Sequence, residues 1–487
     1  MKKILLLSIA LFIALVANAA DYDFVYDPYG NVKLYCKITK AATSTKPDGY
    51  GAVTVVGGMG PQGSEVFIDL VKYNDYYYRP TAIAEKAFEG AAWIGKLYLS
   101  ADTKSVGDYA FRNCTNLTSI DIQQSVTFGM GEFYGCSSLE AITIPQGVTN
   151  IPDECFAECT GLKSLQIGRN VQTIGKDAFK SNQLTSLIID SNYLTSQDYA
   201  EDNNLTDIFS IQYVYASSAL CHLSFGQFVT SIGDYAFCRA SLKEITIPQN
   251  VESVGYSAFG RCPKLATINI NSSQLVSKDY IDNNNLFFSF GLFSCSATVV
   301  FGEGIESIGK NAFANNFGVN GGNATNWANY ANNKTSLVFP STLRTISDFA
   351  FYKLNVVTLT LPEGLLEVGF DAFSNCLYLS TITIPSTLRT MDTQVFYNSK
   401  EIATIFANST SLSVYSSLFS GNYDKTKAIV LVDDEGVYSY LKEREDRCGR
   451  VVMLNGQIRP RVNEDVNEDG TVNSLDVLKV YKYMQSH

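Results

Sequence analysis

The chain has 487 residues, too many for one ordinary core, so it holds either several domains or one elongated repeat array. With 46% hydrophobic and 17% charged residues it has the apolar mass to fold. A formal charge of −11 argues against a nucleic-acid or anionic-membrane partner, and two histidines, His222 and His487, leave little for imidazole catalysis or imidazole metal sites.

Residues 1–19 read as a secretory signal peptide: Met1-Lys2-Lys3, an apolar run from Ile4 to Val16, then Ala17-Asn18-Ala19 before Ala20-Asp21. No later stretch reaches the length of a membrane span. The expected product is exported, secreted or held at the outer cell surface. Residues 20–80 follow without internal repetition and alternate polar with apolar residues, as in Val32–Ile38. They are expected to form a small β cap on the first edge of what comes next.

From about residue 81 one phrase recurs, as in Ser105-Val106-Gly107-Asp108-Tyr109-Ala110-Phe111 and Thr173-Ile174-Gly175-Lys176-Asp177-Ala178-Phe179. The anchoring phenylalanines are Phe88, Phe111, Phe133, Phe156, Phe179, Phe237, Phe259, Phe313, Phe351, Phe373 and Phe396. Most are 22 or 23 residues apart, and Phe209 and Phe293 are expected to subdivide the two largest gaps. A second phrase, L-x-x-I-x-I, follows each anchor, as in Leu139-Ile142-Ile144, and its last two apolar positions have the period of a strand buried on one face. A short third element such as Val171–Ile174 leads into the next glycine and phenylalanine. A unit of this size cannot bury its own apolar edge, so it must stack on its neighbours. The predicted fold is mainly β: a solenoid of about thirteen 22–23 residue turns over 81–425, with short β-rich caps and a small helical calcium-loop segment at the C-terminus. The phenylalanines are expected to form its inner spine.

Three stretches break the spacing, near 191–221, 271–296 and 314–336. The first two resemble each other, Leu194–Tyr199 with Asp202–Leu205 against Leu275–Tyr280 with Asp282–Leu286, as a copied block of about 80 residues would. The third is rich in Asn and Gly. Tyr193, Tyr199, Trp327 and Tyr330 in these insertions are the candidate ligand-binding residues, aromatic groups on segments that project from a repeat array; each could equally fold back as a lid on its own loop.

Residues 426–460 are expected to close the second edge with strands and a helix around Tyr438 to Glu445. Residues 461–487 hold the sharpest chemical motif, running from Asp465 to Asp476. Asp465, Asn467, Asp469, Asn473 and Asp476 place oxygen side chains at loop positions 1, 3, 5, 9 and 12, Gly470 takes the sharp turn at 6, and Thr471 offers its carbonyl at 7. Calcium is the expected ion. Leu475, Leu478, Tyr481 and Met484 then share one face of a helical stretch. Of the 11 cysteines, Cys114, Cys136, Cys159, Cys262 and Cys376 each lie three residues after an anchor, a repeat position that favours stacked buried thiols over a disulfide framework.

With these residues in view, the repeat I-G-x-x-A-F-x-x-C-x-x-L-x-x-I-x-I-P resembles that of BspA-like leucine-rich-repeat proteins of bacterial cell surfaces, from about Ile83 to Phe419. The resemblance implies adhesion or recognition through an extended surface and supplies no catalytic residues. The Asp465–Asp476 tail is similar to one half of a dockerin domain. Dockerins carry two such halves, so the resemblance implies a calcium-ordered terminus and weakens the case for a cohesin-like partner. No nucleophile elbow, phosphate loop or zinc motif occurs. The expected function is non-enzymatic recognition of a protein or glycan ligand by a monomer. The alternative is an accessory component of an extracellular carbohydrate-degrading system, tethered through the tail.

Overall fold

The repeat phrase takes the same backbone course wherever it occurs, because each copy writes the same alternation. A computed structural model of the chain describes residues 22–27, 30–123, 126–201, 203–209, 222–281, 284–315, 333–411, 413–414, 428–445 and 450–453. These residues form two compact units, one reaching Val229 and including Ala240–Leu242, the other built from Thr230–Arg239 and the residues from Lys243 onward. The fold is mainly β, with a few short helices.

In the first unit, β1 (Phe24–Tyr26), β2 (Lys33–Lys40), β3 (Gly51–Met59), β5 (Val71–Tyr73) and β6 (Tyr76–Ile83) make a sheet in the order β1-β2-β3-β6-β5. Its β1–β2 and β2–β3 pairs are antiparallel, while β6 runs parallel to β3 and to β8 (Ser105–Val106). The segment β4 (Ser64–Ile68) joins β7 (Ile94–Leu99) and β9 (Ser119–Ile122) in a parallel sheet. The N-terminal segment therefore supplies the first rungs of both repeat ladders, through β4 and β6. A second parallel sheet holds β10 (Ala141–Ile144), β12 (Ser164–Ile167), β14 (Ser186–Ile189) and β15 (His222–Phe225), and β11 (Asn150–Ile151) pairs with β13 (Thr173–Ile174). One four-residue strand and one two-residue strand per repeat is what the L-x-x-I-x-I phrase and the third element predict. Leu97, Leu99, Ile142, Ile144, Leu165 and Ile167 are buried, and the residues between them face outward.

The second unit repeats the arrangement. Parallel sheets join β17 (Glu244–Ile247), β19 (Thr267–Ile270), β20 (Thr298–Phe301) and β22 (Ser336–Val338), then β24 (Thr358–Thr360), β26 (Thr381–Ile384), β28 (Thr404–Ala407), β29 (Ile429–Val432) and β30 (Arg450–Met453). The short strands β16 (Ser231–Ile232) and β18 (Ser253–Val254) pair, as do β21 (Ser307–Ile308), β23 (Thr345–Ile346), β25 (Glu367–Val368) and β27 (Thr390–Met391) in that order. The helix near the second edge spans Glu435–Lys442, because the Asp434 side chain caps it by accepting from Val437 N at 2.8 Å.

The anchors do form aromatic stacks. In the first unit Phe88, Phe111, Phe133, Phe156 and Phe179 stack with centroids 5.2–5.5 Å apart, and Phe209 continues the series at 5.4 Å. In the second, Phe237 stacks on Phe259, and Phe313, Phe351, Phe373 and Phe396 form a run. Phe209 thus subdivides its gap as expected, whereas the residue stacked on Phe259 is Phe290, at 5.8 Å, and not Phe293. The helix Leu286–Ser289 ends with Phe290 in the core, which puts Phe293 against Phe287 and Phe288.

Around each anchor the turn uses left-handed backbone. Tyr109 and Asn113 flank Phe111 at φ 57° and 58°, Glu154 and Glu158 flank Phe156 at 57° and 56°, and Asp371 and Asn375 flank Phe373 at 54° and 56°. Such conformations are costly for residues with a Cβ. What offsets them is a ladder to the next repeat: Tyr109 N, Phe111 N and Asn113 N donate to Met130 O, Glu132 O and Tyr134 O at 2.7–2.9 Å. The aspartate of the phrase adds a rung, as Asp153 Oδ1 accepts from Lys176 N at 2.8 Å and Asp348 Oδ1 from Phe370 N at 2.9 Å. The glycine of the phrase packs against that aspartate in the preceding repeat and has no room for a side chain. A Cβ on Gly175 would lie 2.4 Å from Asp153 N.

The described residues of the first two insertions share a set of helix caps. Ser191 caps the helix Asn192–Thr195 and Ser272 caps Ser273–Ser277, and their hydroxyls donate to Val171 O and Val251 O of an earlier turn. Asn204 and Asn285 cap Leu205–Ile208 and Leu286–Ser289. The copied block read from the sequence is thus matched in its caps.

Candidate ligand-binding surface

The outward positions of the four-residue strands form the accessible face of each sheet. In the first unit, register aligns Phe67, Tyr98 and Asp121 in one row of β4-β7-β9, and Thr143, Gln166, Ile188 and Ser224 in the matching row of β10-β12-β14-β15. Phe67, 39% exposed, and Tyr98 stand side by side with parallel rings, 4.4 Å between centroids and 4° between planes. Lys96, in the neighbouring row, is paired with Glu65 at 2.8 Å.

Between these two sheets the strand ladder is interrupted. β9 and β10 lie next to each other yet belong to separate hydrogen-bonded sheets, and a cleft of about 460 Å³ opens there. Its lining includes Ile120, Asp121, Ile122 and Gln123 of the β9 segment and Thr143, Pro145 and Gln146 of the β10 segment. Ile120 and Ile122 are only half-buried, whereas their counterparts Leu97, Leu99, Ile142 and Ile144 are buried. The amide of Gln123 donates to Asp121 Oδ2 at 2.9 Å, which fixes that carboxylate at the cleft. Sequence reasoning passed over this place. The signal available was an aromatic pair, Phe67 and Tyr98, at outward strand positions where many other strands carry Ser, Thr, Asn or Gln.

In the second unit the outward positions are mostly threonine, as at Thr246, Thr267, Thr298, Thr358, Thr360 and Thr383. A groove of about 610 Å³ runs along β23, β25 and β27, lined by Asp279, Lys310, Asp348, Glu367 and Asp392 among others. Its aspartates are used by the backbone: Asp279 Oδ1 accepts from Lys310 N at 2.8 Å and Asp348 Oδ1 from Phe370 N. Among the described residues no group of histidine, cysteine and acidic side chains could hold a metal ion.

Of the residues picked out from the sequence, Tyr193 is 55% exposed at the start of its helix. Tyr199 is mostly buried, and its hydroxyl donates to Leu194 O at 2.8 Å, as Tyr280 does to Leu275 O at 2.6 Å in the copied block. Burial raises both phenols above their ordinary pKa. Trp327, Tyr330 and the calcium residues Asp465, Asn467, Asp469, Thr471, Asn473 and Asp476 lie outside the described residues, as does the signal peptide. His222 is exposed on β15 in register with Ser186.

Nine cysteines are described, all buried and free of disulfides. Cys114, Cys136 and Cys159 donate their thiols to Phe88 O, Phe111 O and Phe133 O, the anchor carbonyls of the preceding repeats, at 3.2–3.3 Å. Burial pushes Cys114, Cys159 and Cys376 up to about 12. In the last repeat Ser399 takes the position and donates to Phe373 O at 3.2 Å.

Parallel ladders that gain one rung per repeat, an inner aromatic stack and capped turns define a leucine-rich-repeat fold. The chain belongs to the BspA type leucine-rich repeat region family, whose six-copy model matches residues 81–206, 210–325 and 325–434. Among solved structures it is similar to a leucine-rich repeat protein from Bacteroides ovatus, with 22% identity over 83% of this chain and 99% of that one and a TM-score of 0.33. A leucine rich cell surface protein from Faecalibacterium prausnitzii shares 16% identity over 88% and 98% (TM-score 0.29), and the pneumococcal vaccine antigen PcpA 14% over 89% and 99% (TM-score 0.29). No curated protein matches the chain. No described helix is long and apolar enough to cross a membrane.

Proposed function

We propose that the protein is a non-enzymatic recognition protein, exported and displayed at the cell surface, that presents an extended repeat surface to a protein or glycan ligand. The observation that carries this reading is the outward strand face, where polar side chains sit in register over the buried apolar positions of the same strands. Such a face offers hydrogen-bonding groups on a rigid frame, and rigidity lowers the entropic cost of binding. Membership of the family supports it, as does the cell-surface description of the Faecalibacterium prausnitzii relative. The exposed Tyr193, together with Tyr199, Trp327 and Tyr330, remains a candidate contact from the insertions.

The mature protein should be probed on arrays of glycans and extracellular-matrix proteins. Specific binding without product release is expected, and polysaccharide hydrolysis would refute the non-enzymatic reading. The Asp465–Asp476 loop favours a calcium-held terminus with Asp465, Asn467, Asp469, Asn473 and Asp476 as side-chain ligands and Thr471 through its carbonyl. Calorimetric titration of calcium should give one site, lost in Asp465→Ala/Asp476→Ala; an unchanged isotherm in that variant rules the loop out. The same loop keeps the tethered accessory role as the second reading, and binding to cohesin-like domains is its test.

A further inference from the structure

We propose that the cleft between β9 and β10, with Tyr98 beside it, binds the sugar rings of a neutral glycan. This rests on the recognition reading and gives it a place and a ligand class.

Three observations converge on that chemistry. The cleft is amphipathic: Ile120 and Ile122 open an apolar floor that the other repeats bury, while Asp121, Gln123, Thr143 and Gln146 stand around it as exposed polar groups. A pyranose has the same division, with a C–H face that seeks apolar surface and a rim of hydroxyls that both donate and accept. A carboxylate accepts from such hydroxyls, and a side-chain amide serves them in either sense. Gln123 donates to one oxygen of Asp121, and the other oxygen can accept from a ligand hydroxyl.

The second observation is the aromatic pair. Tyr98 is the register partner of Asp121, one strand away from the cleft, and it stacks on Phe67 with nearly parallel rings. Phe67 covers one face of Tyr98, so the other face of this half-buried ring, on the β9 side, is an apolar wall against which a further sugar ring of the same chain would pack. An aromatic contact of this kind is large in area and low in entropic cost.

The third is charge. None of the described residues lining the cleft is basic, and the nearby Lys96 is engaged by Glu65. Among the described lining residues Asp121 is the one acidic side chain, and it disfavours sulfated, phosphorylated or uronic ligands. A volume of about 460 Å³ lies within the range of pockets that take small ligands, about 300–1,000 Å³.

The test uses the full mature chain and a panel of neutral oligosaccharides (glucans, mannans, galactans and N-acetylglucosamine oligomers), with sulfated glycans and matrix proteins as separate arms. The expected result is binding to at least one neutral oligosaccharide that falls tenfold or more in Tyr98→Ala and in Asp121→Ala. It should persist in Thr246→Ala, an exposed outward residue of β17. Because Tyr98 is partly packed, unfolding curves accompany each variant, and Gln123→Ala, fully at the surface, gives a second reading. Neutral-glycan binding untouched by the Tyr98, Asp121 and Gln123 substitutions overturns the site and leaves the recognition function standing. Binding of sulfated glycans or matrix proteins alone overturns the ligand class. No binding in any arm overturns both readings.

Discussion

Glu132 occupies the position just before an anchor, where the other repeats place a small residue such as Ala110, Ala178 or Ala258. It is completely buried, its Oε2 accepts from Gly129 N at 3.2 Å, and its Oε1 finds no partner among the described residues. Desolvation therefore pushes its carboxyl well above the usual range, against a smaller lowering by the Gly129 hydrogen bond. A carboxyl whose pKa is raised on folding contributes fully below its unfolded value, near 4.3, and destabilises progressively as pH climbs towards the folded value. Replacing it removes that loss. Glu132→Gln should match the wild type near pH 4 and become more stable by up to about 1.4 kcal/mol per pH unit above it, until the folded pKa is passed. Urea unfolding at several pH values measures this, and parallel stability profiles for the two proteins would show that the carboxyl is not buried as described. The thiols one repeat position away make a simpler case. Burial holds the thiolate fraction of Cys114, Cys136, Cys155, Cys159 and Cys376 far below that of a free cysteine, so these five are chemically quiet. Alkylation of the native protein followed by peptide mapping should leave all five unlabelled and reach them only after denaturation; native labelling at Cys136 or Cys159 contradicts the packing.

At the scale of the element, the ladder owes its order to polar atoms as much as to the phenylalanines. Ser191 is the clearest instance: buried, it accepts from Leu194 N at 3.2 Å to start a helix and donates to Val171 O in an earlier turn. Removing the hydroxyl strands both partners, so Ser191→Ala should cost about 1–3 kcal/mol, above the ordinary loss of a cap. Ser272→Ala, at the equivalent place in the copied block, should cost the same within error; a gap above 1 kcal/mol between them means that the two insertions are not held alike. Much of this architecture was legible beforehand. Anchors 22 or 23 residues apart and an apolar alternation of period two together predict a short strand and a tight turn, and that is what Phe88 to Phe179 do. Three features were not legible, each for a physical reason. Phe290 replaces Phe293 in the stack because a four-residue helix, invisible to a two-residue alternation, resets the register. Left-handed residues such as Tyr109 and Glu154 carry no glycine signature, since the inter-repeat hydrogen bonds hold conformations their own side chains disfavour. The β9–β10 cleft is missed because Ile120 and Ile122 keep the apolar pattern of every other strand, and only the lost ladder exposes them.

For a whole molecule assembled from stacked repeats, stability accumulates through neighbours, because each turn buries its edges on the turns before and after it. Within the first unit Phe156 sits between Phe133 at 5.4 Å and Phe179 at 5.5 Å, with its amide donating to Ala178 O and Phe133 N donating to Cys155 O. Truncating it removes a fully buried ring and three aromatic contacts, the third an edge-on one with Phe128, a loss of about 3–5 kcal/mol by the usual cost of emptying a core site. In a globule with one shared core that loss would lower protection everywhere at once. In a stack it should be graded. Hydrogen exchange of Phe156→Ala is expected to rise most in β10, β12 and β14 and in the turns around Cys136 and Phe179, and to fade towards β2 and β3 of the same unit. That pattern would also explain how a cleft can open at β9–β10 without unravelling the strands beside it: each interface is held by its own turn ladder, here Tyr109, Phe111 and Asn113 donating across the same boundary that the strands leave unpaired. A uniform rise in exchange across the unit would instead show that the repeats fold as one cooperative block, and the cleft would then need some other support.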